Sequence, residues 1–143
     1  MSEYVLEENM MNALSVIEVA GEAISSGRKN LEIRHWQPER LPLIDLLIVQ
    51  NKRRLTINEP TDPDGKIVAV VDVKRIRDWK EDDLDASCSA NWEPGWFAWE
   101  LTNVRRVIDG PSVPAKRRIY GLDLNIEVLQ TERIREQIGR GNE

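Results

Sequence analysis

The sequence predicts an α+β domain: a small β-barrel of about five to six short strands, one short helix after the first strand and one C-terminal helix. Three observations lead there. Apolar segments of strand length recur between turn signals, at Ala13–Val19, Leu31–Trp36, Leu43–Gln50, Lys66–Val73, Trp96–Val107 and Ile119–Leu124. Only one early segment, Ala20–Ser26, carries a helical spacing, with Ala20, Ala23 and Ile24 on one face. The chain of 143 residues is the length of one compact domain. The organisation expected is a loose arm at residues 1–12, a domain at 13–124, and a helix and tail at 125–143.

Taken in order, Ala13–Val19 is the first strand, and Gly27 ends the helix that follows, since a left-handed C′ position carries no Cβ penalty for glycine. From Leu31 the period changes to two. Leu31 and Ile33 take one face, with His35 by alternation, and Glu32 and Arg34 take the other. Lys29 lies in the connection just before them. Three charges thus converge at a helix-to-strand turn beside an apolar face, which reads either as a surface ion pair or as a site. Pro38 turns the chain into Leu43–Gln50, which is apolar except for Asp45, and that acid either faces solvent or is paired. Asn51-Lys52-Arg53-Arg54 is a basic loop tip, and Asn58–Gly65, with two prolines, is a loop. The continuous Ile67–Val71 run implies burial on both faces. Arg75–Ala90 is irregular and acidic and reads as a solvated loop. Trp96–Val107 is a long strand with a bend at Thr102-Asn103. Trp92, Trp96 and Trp99 offer either barrel core or a stacking platform for a base. Asp109–Arg118 is a loop, and Asn125 N-caps a helix through Ile138 whose apolar stripe is only partial.

Gly27-x-Lys29-x-x-Glu32-x-Arg34 resembles the signature of the activating-signal-cointegrator homology (ASCH) domain, a relative of the PUA-like RNA-binding folds. The flanks agree in order. Leu14–Ile17 precedes the helix as that family's first strand does, Arg34-His35-Trp36 resembles its Arg-x-Trp exit, and Pro94–Leu101, Val104–Val107 and Pro111–Leu122 resemble its late strand and closing turn. The resemblance implies a PUA-like barrel whose cleft beside the signature binds RNA or a nucleotide-like small molecule, and it makes Arg75–Ala90 a candidate lid over the barrel mouth as an alternative to a solvated loop. The ligand-binding positions it implies are Gly27, Lys29, Glu32 and Arg34, to which the aromatic pattern adds Trp99. A branch of the family hydrolyses the amide of acetylated cytidine, with the signature lysine activating a threonine nucleophile. Lys29 and Glu32 are therefore the catalytic residues if the chain is a small hydrolase, amidohydrolase- or ribonuclease-like, acting on a nucleoside or RNA; the sequence leaves that open, beside a third reading as an interaction domain with a vestigial pocket. Glu32 stands where those relatives carry the threonine, and a carboxylate replaces that hydroxyl poorly. The family's usual Gln-Pro-Trp-Ala corner is here Glu18-Val19-Ala20-Gly21, without the aromatic wall.

Composition bounds the function further. No apolar run approaches membrane-spanning length, and the acidic first dozen residues are no secretory signal. A lone Cys88 permits no intrachain disulfide and suits a cytoplasmic setting, and with His35 it cannot build a zinc cage, so neither metal nor cofactor is expected. The net charge of −5 at first opposes a nucleic-acid partner. Its distribution opposes it less. Residues 1–27 hold five acids and no Lys or Arg, and residues 78–100 hold seven acids and one Lys. Setting aside those −5 and −6 leaves +6 on the remaining chain, which includes the Gly27–Arg34 strand and its successors.

Overall fold

The computed structural model of the protein describes residues 10–134. Its strands are β1 (Met10–Ile17), β2 (Leu31–Arg34), β3 (Leu43–Asn51), β4 (Thr61–Asp78), β5 (Phe97–Ile108), β6 (Ser112–Lys116), β7 (Ile119–Asp123) and β8 (Gln130–Arg133). The helices are α1 (Glu18–Ser25) and the single turn α2 (Leu84–Ser87), and short 3-10 turns span Glu81–Asp83 and Ile126–Val128. The strands form one open eight-stranded sheet in the order β2-β5-β4-β3-β1-β7, with β6 added to β4 and β8 to β5. This corrects the expectation of a closed barrel of five to six strands. The two ends of the order, β2 and β7, do not pair with each other. β1 and β3 run parallel; the other pairs are antiparallel.

Both faces of the central strands are covered, as a continuous apolar run requires. On one face Leu14, Val16, Leu46, Ile48, Ala69, Val71, Val73, Trp99 and Leu101 pack under Ile24 of α1. On the other, Ala13, Leu47, Val49, Ile67 and Val70 pack against Val107, Ala115 and Leu129. α1 approaches the sheet closely at Gly21, where a Cβ would lie 2.6 Å from Gln50 Oε1.

Strand lengths differ from the sequence expectation where pairing extends them. β4 runs for 18 residues because it serves three partners, and register shifts at Asp62/Gly65, Val70/Asp72 and Val73/Ile76 let it bend between them. Its first residues lie in the segment expected to be the Asn58–Gly65 loop. Part of the expected Asp109–Arg118 loop is β6. Pro114 is tolerated because the β4–β6 ladder steps from Asp62↔Ala115 to Gly65↔Val113, past it. The expected C-terminal helix is not formed over its described part. β2 pairs with β5 only over Phe97–Glu100, and β8 takes the Arg105–Ile108 stretch beyond it. Ile126 and Leu129, the start of the expected helical stripe, instead pack into the second core. An unmet backbone ladder outweighs a partial stripe. Residues 135–138 of that helix, and 1–9 of the expected arm, lie outside the described residues; Met10–Asn12 of the arm belong to β1.

Asp45, the lone acid of its strand, is paired. It sits at φ 58 and accepts from Arg105 Nη1 at 2.7 Å. Arg105 Nη2 donates to Asp72 Oδ1 at 2.9 Å, Asn103 Nδ2 to Asp72 Oδ2 at 3.0 Å, and the Asp45 amide to Asp72 Oδ1 at 3.0 Å. The expected bend of β5 is at Asn103, φ 50. Burial alone would raise the Asp72 carboxyl; the Asp45 amide, Asn103 and Arg105 outweigh it and hold it below the usual carboxylate range. Because the folded value is the lower one, Asp72 contributes stability above its unfolded pKa of about 3.9 and loses it as pH falls through the folded value. Arg105→Ala is expected to lower the unfolding free energy by about 3 kcal/mol at neutral pH, by leaving Asp72 buried without its cation. Asp72→Asn is expected to remove part of the stability lost on acidification to pH 3; urea melts at the two pH values check both.

Candidate functional site

The residues from Gly27 to Trp36 are arranged by one backbone device. Gly27, at φ 86, lets the chain leave α1 so that the Arg28 and Lys29 amides both return to the Ala23 carbonyl. A side chain there would be strained, and its Cβ would lie 2.7 Å from Ile134 Cγ2. β2 then alternates. Its outer row, Leu31 and Ile33, packs on Ala98, Trp79, Trp92 and Trp96. Its inner row, Glu32 and Arg34, continues to Trp36, which packs against the first core.

The three charges meet. Arg34 Nε donates to Glu32 Oε2 at 2.8 Å, and Lys29 Nζ lies 3.6 Å from Glu32 Oε1. Lys29 Nζ also donates to the Ser87 carbonyl at 2.6 Å, and Arg34 Nη2 to the Ser15 carbonyl at 2.9 Å. Lys29 and Glu32 are only 8% and 7% exposed, which separates this cluster from a solvated surface pair. Ser15 is a junction: the β1–β7 ladder ends at Leu14, leaving its carbonyl to Arg34, while its hydroxyl lies 3.1 Å from the Tyr120 hydroxyl and accepts the Lys116 amide. Burial pushes the Tyr120 hydroxyl up in spite of the Ser15 contact. At the rim, the Arg118 guanidinium lies 4.4 Å from the Trp36 ring, and Trp36 meets Trp99 edge-on at 5.0 Å.

The acidic segment after β4 is neither a solvated loop nor a cover for this inner row. Residues 79–96 lie over the outer row of β2. Arg77 ties it down by donating to both Asp83 oxygens and to Glu100. The Arg77 partnership holds the Asp83 carboxyl below the usual range, against burial. The Ser87 carbonyl thereby arrives over Lys29. Beside it lies a cleft of about 260 Å³ lined by Gly27, Lys29, Asn30, Glu100, Thr102 and Asn103 among others. Glu32 and Arg34 do not line that cleft, so the expected site residues divide between two faces, with Lys29 reaching from one to the other.

Trp99 is corrected as a ligand-binding residue. It is fully buried, and a side chain with no exposed face cannot stack on a base. His35 stands at the rim against Trp96, with ring centroids 5.3 Å apart. The sequence reading missed Ser15, Tyr120, Arg118 and the Ser87 carbonyl. Only Ser15 carried a signal, as the one hydroxyl in the apolar run Ala13–Ile17. Among the described residues no cluster of His, Cys, Asp and Glu could hold a metal ion, and no helix is long and apolar enough to cross a membrane.

The ASCH domain model matches residues 14–111, and the chain belongs to the ASCH domain family. Among solved structures it is similar to an ASCH protein from Zymomonas mobilis, at 15% identity and a TM-score of 0.47, over 76% of this chain and 87% of that one. A serine-to-alanine mutant of the Zymomonas mobilis protein matches at 16% identity and 0.44, covering 76% and 88%. A tyrosine-to-phenylalanine mutant matches at 14% and 0.42, covering 76% and 90%. No curated protein sequence matches the chain.

If the triad is a buried unit, Glu32→Gln leaves two cations without their carboxylate and is expected to lower stability by about 3 kcal/mol. Gly27→Ala is expected to lower it by about 1–2 kcal/mol through the left-handed backbone. Urea unfolding checks both, and a loss below about 1 kcal/mol for Glu32→Gln would instead describe a solvated pair.

Proposed function

We propose that this chain is a binding module for RNA or a nucleotide-like ligand, taken at the inner row of β2. The observation that carries the reading is the alignment of Glu32, Arg34 and Trp36 on one face, with the Arg118 guanidinium already resting on the Trp36 ring. A planar guanidinium occupies the place a base would take on that ring, since both stack on an aromatic face. Displaced, Arg118 is free to pair with a phosphate. Behind the ring the part-exposed Arg34 guanidinium offers a donor to a base edge, and the buried Glu32 fixes its direction. RNA is the partner that the family resemblance implies, and the +6 outside the two acidic segments agrees with it.

Binding is preferred over hydrolysis because of what surrounds the charges. Glu32 replaces the hydroxyl that attacks in the amidohydrolase branch, so no acyl-enzyme forms by that route. Lys29 donates to the Ser87 carbonyl and faces Glu32, an arrangement that holds the covering segment in place.

Nucleoside monophosphates are expected to raise the melting temperature of the protein. Arg118→Ala is expected to weaken their binding about tenfold, the loss of one charge-assisted contact of about 1.4 kcal/mol. Trp36→Leu is expected to weaken it at least as much; calorimetric titration reads both, and unchanged affinity in the two variants would place the ligand elsewhere. Acetylated cytidine is expected to bind without turnover. Product formation by the unaltered protein, abolished by Glu32→Gln, would move hydrolysis to first place.

A further inference from the structure

Six of the basic residues outside the inner row gather at one end of the sheet. β1 and β3 are parallel and end together, with Ile17 opposite Asn51. β4 begins and β6 ends at that same end of the sheet, with Thr61 opposite Lys116. Two loop tips are therefore neighbours: Asn51-Lys52-Arg53-Arg54 after β3, and Lys116-Arg117-Arg118 between β6 and β7. Together they carry six cations and no acid, and all six are exposed. Contacts brace the first tip on itself and on β4, and tie the second to the site. Arg53 Nη2 donates to the Thr61 carbonyl at 2.9 Å, the Asn51 side chain donates to the Arg53 carbonyl, and the Lys116 amide donates to Ser15 Oγ, whose residue's carbonyl receives Arg34. Glu59 of the β3–β4 connection and Asp64 at the start of β4 are the exposed acids beside them.

We infer that these two tips form a track for a phosphodiester strand, which leaves the Trp36–Arg118 rim, crosses Arg117 and Lys116, and continues over Arg54 and Lys52. The inference rests on the nucleotide-binding reading above and extends it: the ligand is a strand of several nucleotides, with one base on Trp36 and successive phosphates on the tips. Like-charged side chains on adjacent tips repel, and a polyanion laid along them relieves that repulsion and releases its own counterions. A free nucleoside would use none of them. The tips provide charge without base-edge geometry, so the track is indifferent to sequence, and the rim alone selects a base.

The test compares a nucleoside monophosphate with single-stranded oligomers of two, four and eight nucleotides, in RNA and DNA series, by calorimetric titration at low and high salt. The variants are Lys52→Ala/Arg54→Ala/Arg117→Ala combined, which spares Arg53 because it braces its loop, and Trp36→Leu. Affinity is expected to rise with length by about tenfold or more between monomer and octamer at low salt, with a log–log salt slope growing by about 0.7 for each phosphate engaged. The triple variant is expected to keep monophosphate binding and its melting temperature while losing the gain with length. Trp36→Leu is expected to weaken every length alike. Equal affinity for monomer and octamer would overturn the track and leave the pocket reading standing. A gain with length that survives in the triple variant would also overturn the track. Absence of binding at every length would overturn both. The RNA and DNA series distinguish the two sources of the strand: equal affinities mean that backbone charge alone is read, and tighter RNA binding adds a 2′-hydroxyl contact.

Discussion

The end strands of the open sheet, β2 and β7, do not meet, and one side chain of β2 reaches across to β1 instead. Arg34, on the terminal strand β2, reaches the Ser15 carbonyl on β1, which β7 no longer pairs with at that point. The guanidinium thus satisfies a backbone acceptor that a closed barrel would satisfy with a strand. Its other contact, to Glu32, fixes its direction, and Lys29 balances the carboxylate from the far side. Through Lys29 the same cluster holds the Ser87 carbonyl and with it the segment covering the outer row of β2. Removing the central carboxylate would loosen sheet edge, covering segment and rim together, because buried ionic groups of this kind act as a unit.

The alternation of β2 explains how one short strand serves two purposes. Leu31 and Ile33 bury apolar area against Trp79, Trp92 and Trp96, while Glu32, Arg34 and Trp36 form the polar and aromatic wall on the opposite face. Four residues of ladder to β5 suffice because each face of the strand is anchored separately. A second polar network, around Arg105, joins β3, β4 and β5 and gives Asp45 and Asn103, both in the left-handed region, their partners.

Much of this was legible in the residues. The change of period at Leu31, Gly27 as a left-handed exit, the bend at Thr102-Asn103 and the two-sided burial of Ile67–Val71 all follow from local pattern, and the structure has each of them. What local pattern could not supply is anything that depends on which strands become neighbours. The helix expected from Asn125 gave way to β8 because β5 had an unpaired edge, a fact about β2 being short. The Ser87 carbonyl over Lys29 comes from a segment 58 residues away. In sequence Trp99 reads as core or stacking platform and Trp36 only as the end of its strand; packing under α1 makes the first a core residue and leaves the second at the rim. The closed barrel failed as an expectation for the same reason, since closure depends on the two end strands meeting.

The account turns on which face of β2 receives a ligand. Titrating the ¹⁵N-labelled protein with a nucleoside monophosphate and following the Trp36 indole N–H, the Arg34 Nε–H and the backbone amides answers that directly. The account predicts that the Trp36 and Arg34 signals move first and furthest, together with the amides of Ser15 and Lys116, while those of Asn30, Thr102 and Asn103 stay in place. Movement confined to Gly27, Asn30 and Thr102–Val104, with Trp36 and Arg34 unshifted, would put the ligand in the 260 Å³ cleft on the outer side and contradict it.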